Sequence, residues 1–347
     1  MAITVQTGET VLTSDDLNVV ITAVDLSRSF IIIDATTDTT TTSSGPSDWA
    51  VMGNLTSPTT LRLRRDGGSV DAEVTWQVVT CDQGEFLVTG REIMPITTGN
   101  TTATDTIAEV DLSRAMIMYS TRGNFGVSNA NLAFVTCQFT SSTSIGFERG
   151  GSSTTRTYTG YEIVEWSLES GVKVASGEQA ANTNLAAEVG YAHSATVTVN
   201  NTWNFSQARH QSNGLEQVAL RVRFNTTNIL LKRYNTAIPY VSYVAWQLVT
   251  FPEDICEQAL VTLDTAATSS ATTISAVDTS STILWMTNNC EGTGTALGRN
   301  AWNSQLTNTT TVTSKRSYSG KYGEGNVSVC DLSGITSFKG ILFMGQL

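Results

Sequence analysis

The segment "LTSPTTLRLRR", residues 55–65, returns as "FTSSTSIGFER" at 139–149 and as "LTNTTTVTSKR" at 306–316. Each copy opens on a large apolar residue, runs through Ser and Thr, and closes on Arg. A version one residue shorter, "FNTTNILLKR", lies at 224–233. The apolar opener reads as the end of a core strand. The Ser/Thr run reads as a turn closed by local side-chain hydrogen bonds. The next strand then leaves with its apolar side inward: Leu61 and Leu63 against Arg62 and Arg64, Ile145 and Phe147 against Glu148, Ile229 and Leu231 against Lys232.

The phrase travels with two others. Upstream, "VDLSR" occurs at 24–28 and 110–114, and "VDTSS" at 277–281. Downstream comes a tryptophan strand: "EVTWQVVTC" (73–81), "IVEWSLES" (163–170) and "YVAWQLVTF" (243–251). Constant order and a period of about 85 residues predict four tandem units. Apolar and polar residues alternate with period two within each segment, as in antiparallel strands with one face on a core. The predicted fold is therefore all-β: four small antiparallel β-sandwich or barrel units of about five strands each. The expected divisions are 1–93, 94–180, 181–255 and a divergent unit at 256–347. Strands such as Phe86–Gly90 and Val172–Gly177 are assigned to the end of the unit before them. In the fourth unit Val329 is expected at the tryptophan position, and "FKGILFMGQL" (338–347) is expected to complete the unit or to be donated to a neighbouring subunit. Only "ANTNLAAEV" (181–189) suggests a turn or two of helix.

Composition narrows the function. The charged fraction is 15% and the net charge −11, with a pI near 4.7. Such a surface repels nucleic-acid phosphates, so no nucleic-acid partner is expected. The local exception, "RLRR" (Arg62, Arg64, Arg65), reads as a solvated strand face. No apolar run reaches the length of a membrane span. The N-terminal "MAITVQTGETVLTSDD" lacks a basic region followed by an apolar core, so synthesis and folding in a cytoplasm are expected. Five cysteines without CxxC spacing, and two histidines, argue against zinc. Cys81 and Cys137 stand where other units carry Phe251 and Val222, and read as small buried hydrophobes. Cys290 and Cys330 could pair, though a reducing compartment favours free thiols.

No catalytic constellation emerges. His193 reads as part of an extended strand and His210 as part of a polar loop. Glu162 and Glu165 are spaced by three on one strand, point to opposite faces, and read as solvated charges. "PEDICE" (252–257) matches no calcium loop. "EGTGTALG" (291–298) lacks the Lys and helix of a phosphate loop. No cofactor and no metal is expected. Trp76, Trp166 and Trp246 are expected in the core. Trp203, in "NNTWNFSQ", is the candidate for an exposed ligand-binding aromatic.

The phrases "VDLSR", "LTSPTTLRLRR" and "VTWQVV", repeated across most of the chain, resemble tandem β repeats of tailed-bacteriophage virion proteins of the head-decoration, head-fibre or tail-accessory type. The resemblance implies a non-enzymatic particle-surface protein, most simply a capsid decoration. It would contact other virion proteins such as the major capsid or tail protein, and self-associate, with threefold symmetry as one option. The apolar–Thr strand followed by "x-W-x-V" is also similar, over two strands per unit, to H-type lectin domains. That likeness implies a receptor- or glycan-binding module as the alternative, with a host glycan as partner. No position matches a sugar-binding motif, so no binding residue is carried over.

Overall fold

In a computed structural model, residues 3–37, 46–68, 70–123, 130–181, 185, 187–210, 220–233, 241–290, 302–316 and 322–335 are described. The first unit runs β1 (Ile3–Leu12), β2 (Asp16–Val20), β3 (Ser29–Thr37), β4 (Met52–Ser57), β5 (Thr60–Arg64) and β6 (Ala72–Cys81). The second has β7 (Phe86–Ile96), β8 (Thr102–Thr106), β9 (Ala115–Gly123), β10 (Val135–Ser141), β11 (Ser144–Arg149) and β12 (Thr157–Trp166). The third has β13 (Lys173–Ala181), β14 (Val189–Ala192), β15 (Thr202–His210), β16 (Arg221–Phe224), β17 (Asn228–Lys232) and β18 (Ser242–Thr250). The fourth has β19 (Cys256–Leu263), β20 (Ser269–Thr273), β21 (Thr282–Cys290), β22 (Trp302–Asn308), β23 (Thr311–Arg316) and β24 (Gly323–Asp331).

Every unit repeats one topology. Its first, sixth and third strands form one antiparallel sheet (β1-β6-β3, β7-β12-β9, β13-β18-β15, β19-β24-β21). Its second, fifth and fourth form the other (β2-β5-β4, β8-β11-β10, β14-β17-β16, β20-β23-β22). In the first unit Leu12, Ile31, Ile33, Leu61, Leu63 and Val74 fill the core between them. The four tandem antiparallel β units are as predicted, but each has six strands rather than five. The short second strand, as in "DLNVV" and "TATDT", alternates weakly and escapes sequence reading. The divisions at 93/94 and 180/181 cut β7 and β13. Both strands hydrogen-bond to the sixth strand of the following unit, so they open that unit instead of closing the previous one. Of residues 181–189, 182–184 and 186 lie outside the described residues; Ala181 ends β13, Val189 opens β14, and Leu185, Ala187 and Glu188 are irregular rather than helical. Residues 338–347 lie outside them altogether.

The recurring phrases have local causes. Asp25, Asp111 and Asp278 each accept from the backbone N–H two residues on, at 2.9 Å, and from that residue's hydroxyl. At the turn between the fourth and fifth strands, Ser57, Ser141, Asn225 and Asn308 accept from the N–H of Thr59, Thr143, Thr227 and Thr310. The terminal arginine of the phrase is not a solvated charge. Arg65, Arg149, Arg233 and Arg316 are all buried. Arg149 donates to the carbonyls of Asn100 (2.8 Å) and Thr155 (3.1 Å), and Arg316 to those of Asp264 (2.6 Å) and Ala267 (2.8 Å). Five rigid donors let one side chain satisfy several loop carbonyls. Of "RLRR", only Arg62 and Arg64 stay on the surface, both against Asp16.

The units close into a ring. β4 lies against β9 and β12, β10 against β15 and β18, β16 against β21 and β24, and β22 returns to β3 and β6. Sheet register shows which residues correspond. Ile33, Tyr119, Ser206 and Met286 pair with Trp76, Tyr161, Trp246 and Val327. The second unit therefore carries Tyr161, not Trp166, at the Trp76 position, and the fourth carries Val327, not Val329. The next residue on each sixth strand (Gln77, Glu162, Gln247, Ser328) reaches into the preceding unit. Gln77 bonds both backbone groups of Leu284, and Gln247 both of Ile117, at 2.7–3.0 Å. Glu162 accepts from Ile31 N–H at 2.7 Å, and Ser328 from Asn204 N–H at 3.3 Å. The third strand is a sheet edge with outward-facing backbone groups, and these side chains satisfy them. The polar face of the sixth strand is thus an interface, with Thr75, Gln77 and Glu162 buried.

Gln247→Leu leaves two backbone groups of Ile117 unpaired and should cost about 2–4 kcal/mol. Ser328→Ala removes one long bond and should cost roughly 1 kcal/mol or less. Urea unfolding of both variants against wild type checks the order and the size of the two losses.

Candidate functional site

The third strands of all four units line the ring's centre. Ile32, Met118, Phe205 and Trp285 occupy equivalent positions there, all buried. Aromatic contacts join the units: Phe30 to Phe86 at 5.2 Å, Tyr119 to Phe205 at 5.6 Å, Trp166 to Phe251 at 5.5 Å and Phe205 to Trp285 at 4.5 Å. A cavity of 320 Å³ follows the joint between the first two units down to this plug.

Two residues further along, Asp34, Ser120, Gln207 and Thr287 surround a vestibule of 190 Å³. Its walls include Trp49, Phe134 and Trp302 together with His210. Asp34 is the acidic group there. One carboxylate oxygen accepts from the N–H of Ala35 at 3.0 Å, and burial pushes its pKa up to about 8. His210 is buried as well, its Nδ1 set 2.9 Å from the Ser242 hydroxyl, and burial pushes it down to about 3. Near pH 7 the Asp34 carboxyl is largely protonated and the His210 imidazole neutral. Among the described lining residues the vestibule then offers an amphipathic surface on which neither Asp34 nor His210 carries a charge.

The residues singled out by sequence lie apart from one another. Trp203 is 0% exposed and packs in the central core, so it is no surface aromatic. Its neighbours "NNT" and "NFSQ" are polar, but β15 is covered on both faces by the ring. Trp285 and Trp302 are also buried, and Trp49 is half-buried against Phe134 at 5.4 Å. Trp76 and Trp166 are core residues, and Trp246 packs at the margin of the third core. His210 ends β15 instead of lying in a loop, while His193 follows β14. Glu162 is not solvated. It is buried, pairs with Arg91 at 2.6 Å, and burial raises its pKa against that pairing. Glu165 pairs with Arg114 at 3.3 Å.

The cysteines divide differently from the sequence reading. Cys330 is bonded to Cys256, directly across β19 and β24, with 4.1 Å between Cα atoms. Opposite residues of an antiparallel pair come close enough for this bond. The Cys290 side chain is outside the described residues. Cys81 and Cys137 are free and buried, as small hydrophobes. Among the described residues no group of His, Cys, Asp and Glu is placed to hold a metal ion, and no helix is long and apolar enough to cross a membrane. "EGTGTALG" (291–298) lies outside the described residues. Of "PEDICE", Cys256 opens β19 and the preceding residues link the third and fourth units.

Asp34 makes a pH prediction. Between its unfolded pKa near 4 and its folded value of about 8, the folded state holds a proton that the unfolded state has lost. Stability therefore falls as pH rises through that window, by at most about 1.4 kcal/mol per pH unit. Asp34→Asn keeps the acceptor for Ala35 and should flatten this part of the slope. The difference between wild-type and variant urea midpoints at pH 5, 6.5 and 8 isolates it from His210. Comparison of the chain with family models, curated proteins and solved structures finds no match.

Proposed function

We propose that the protein is a non-enzymatic structural component of a bacteriophage particle, a capsid decoration or similar surface protein that acts through β-mediated contacts with other virion proteins. One observation carries the reading. Buried polar side chains such as Gln77, Glu162, Arg209, Gln247 and Ser328 hold each unit to its neighbour, while the outward sheets present repeated edges. β2, β8, β14 and β20 are short edge strands with alternately exposed residues, and Val20 is 85% exposed. Edges of this kind are ready surfaces for strand or loop pairing with another chain. A ring closed by covalently joined units also holds such edges in fixed relative positions without a second subunit. Self-association, threefold or otherwise, would then use the outer sheets and not the central joints. The glycan-binding alternative loses Trp203 as its contact, because that indole lies inside the core.

Purified particles should contain the chain at a fixed copy number. Image reconstruction should place a four-lobed density of about 37 kDa on a regular surface lattice or at the tail. Chains recovered only from the soluble fraction of infected cells, with none on particles, would refute the proposal.

A further inference from the structure

The four joints of the ring can be compared position by position, and one breaks the pattern. The residue before each buried arginine (Arg64, Glu148, Lys232, Lys315) faces the next unit. At three joints it meets the opposite charge. Glu148 meets Arg209 at 3.0 Å, Lys232 meets Glu324 at 2.8 Å, and Lys315 meets Glu73 at 2.6 Å. At the joint between the first and second units the places of Glu148 and Arg209 are held by Arg64 and Arg122. Arg122 lies 4.2 Å above the Tyr158 ring, just as Arg209 lies 3.9 Å above Tyr243. The frame is therefore conserved between these two joints, but Glu148 is replaced by a second cation. Burial, then the nearby Arg64, hold the Arg122 guanidinium below its ordinary range.

The carboxylates present do not balance the charge. Asp66 pairs with Arg122. Asp16 is bound bidentately by Arg62 and stands 3.7 Å from Arg64. Asp15 faces the buried Arg65 at 3.8 Å. Arg156 is exposed and lines the same open groove as Arg64, Arg122 and Tyr158, together with Asp15 and Asp66. Five guanidinium groups (Arg62, Arg64, Arg65, Arg122, Arg156) thus stand against three carboxylates (Asp15, Asp16, Asp66), on a chain whose net charge is −11. Arg122 has 8% of its side chain exposed, and its buried Nε–H has no acceptor among the described residues.

We propose that the groove at the joint between the first and second units is an oxyanion site, in which Arg64, Arg122 and Arg156 hold a sulfate- or phosphate-like group, free or carried on an anionic saccharide. Guanidinium forks match such groups in geometry and charge. The anion supplies at this joint the negative charge that Glu148, Glu324 and Glu73 supply at the others. The inference is independent of the particle reading, since it rests on charge at one joint alone.

Titration calorimetry with sodium sulfate, at ionic strength held constant with sodium chloride, tests it. Wild type should bind saturably at one site. Arg156→Gln, a surface change that leaves the fold intact, should weaken binding about tenfold with an unchanged melting midpoint in chloride. Arg64→Glu rebuilds the Glu148–Arg209 arrangement of the joint between the second and third units. It should abolish sulfate binding and raise the midpoint in chloride. A sulfated disaccharide run in parallel separates the sources: binding tighter than sulfate, with the gain lost in Arg156→Gln, indicates a saccharide-borne anion, and binding equal to sulfate indicates the free ion. A non-saturating response, or sulfate binding unchanged in both variants, means an adventitious ion only and overturns the proposal.

Discussion

A sheet covered on both faces still leaves the backbone of its edge strand to be satisfied, and in this protein the neighbouring unit does so. Each third strand is such an edge. Its outward N–H is met by a side chain from the sixth strand of the next unit, through Glu162, Gln247, Ser328 and, across the closing joint, Gln77. Gln suits the place because one amide both accepts and donates, so Gln77 and Gln247 bond the N–H and C=O of a single residue. Glu162 can only accept when ionised. Arg91 supplies the missing donors, binding Glu162 and the carbonyls of Leu26 and Ser29 together. Ser328 is shorter and makes one longer bond, at the joint that adds the Lys232–Glu324 and Arg221–Glu324 pairs.

This arrangement ties the centre of the ring to its periphery. The alternate face of the same third strands carries Phe30, Ile32, Met116, Met118, Trp203, Phe205, Ile283 and Trp285 into one shared core. Large aromatics in edge-to-face contact add to the burial term and fill the axis. A repeat array with open ends must cap its terminal units. Here the fourth unit packs against the first, and each unit has two neighbours. The cost falls on uniformity. Equivalent positions hold residues as different as Ile32 and Trp285, because the four lobes must fill one centre between them.

Charges follow the same division between repeated and singular features. The buried arginines after the fifth strand recur in all four units because the loop carbonyls they serve recur. The vestibule acid and the like-charged joint occur once. Partial burial of Asp34, whose carboxylate accepts from one backbone N–H, and the facing of Arg64 and Arg122 both run against folding stability, so they stand out from a scaffold in which most polar groups are paired.

Features that depend on residues a few places apart could be read from the sequence alone. The repeat, the period-two alternation of "LRLR" and "TWQVV", the Ser57-type turn, and the core roles of Cys81 and Cys137 all belong here. Strand pleat and Asx or Ser/Thr turns are written into neighbouring positions. Tertiary structure decided what lies on the other side of each strand. Alternation marks one face of the sixth strand as polar, but only ring closure makes that face an interface, through contacts such as Gln77 with Leu284, 207 positions apart. Partners far apart in sequence also hid the burial of Trp203 and Glu162, the pairing of Cys256 with Cys330, and the assignment of β7 and β13 to the units they open. A polar side chain looks the same in sequence whether water or a neighbouring backbone satisfies it, and packing alone chooses between them.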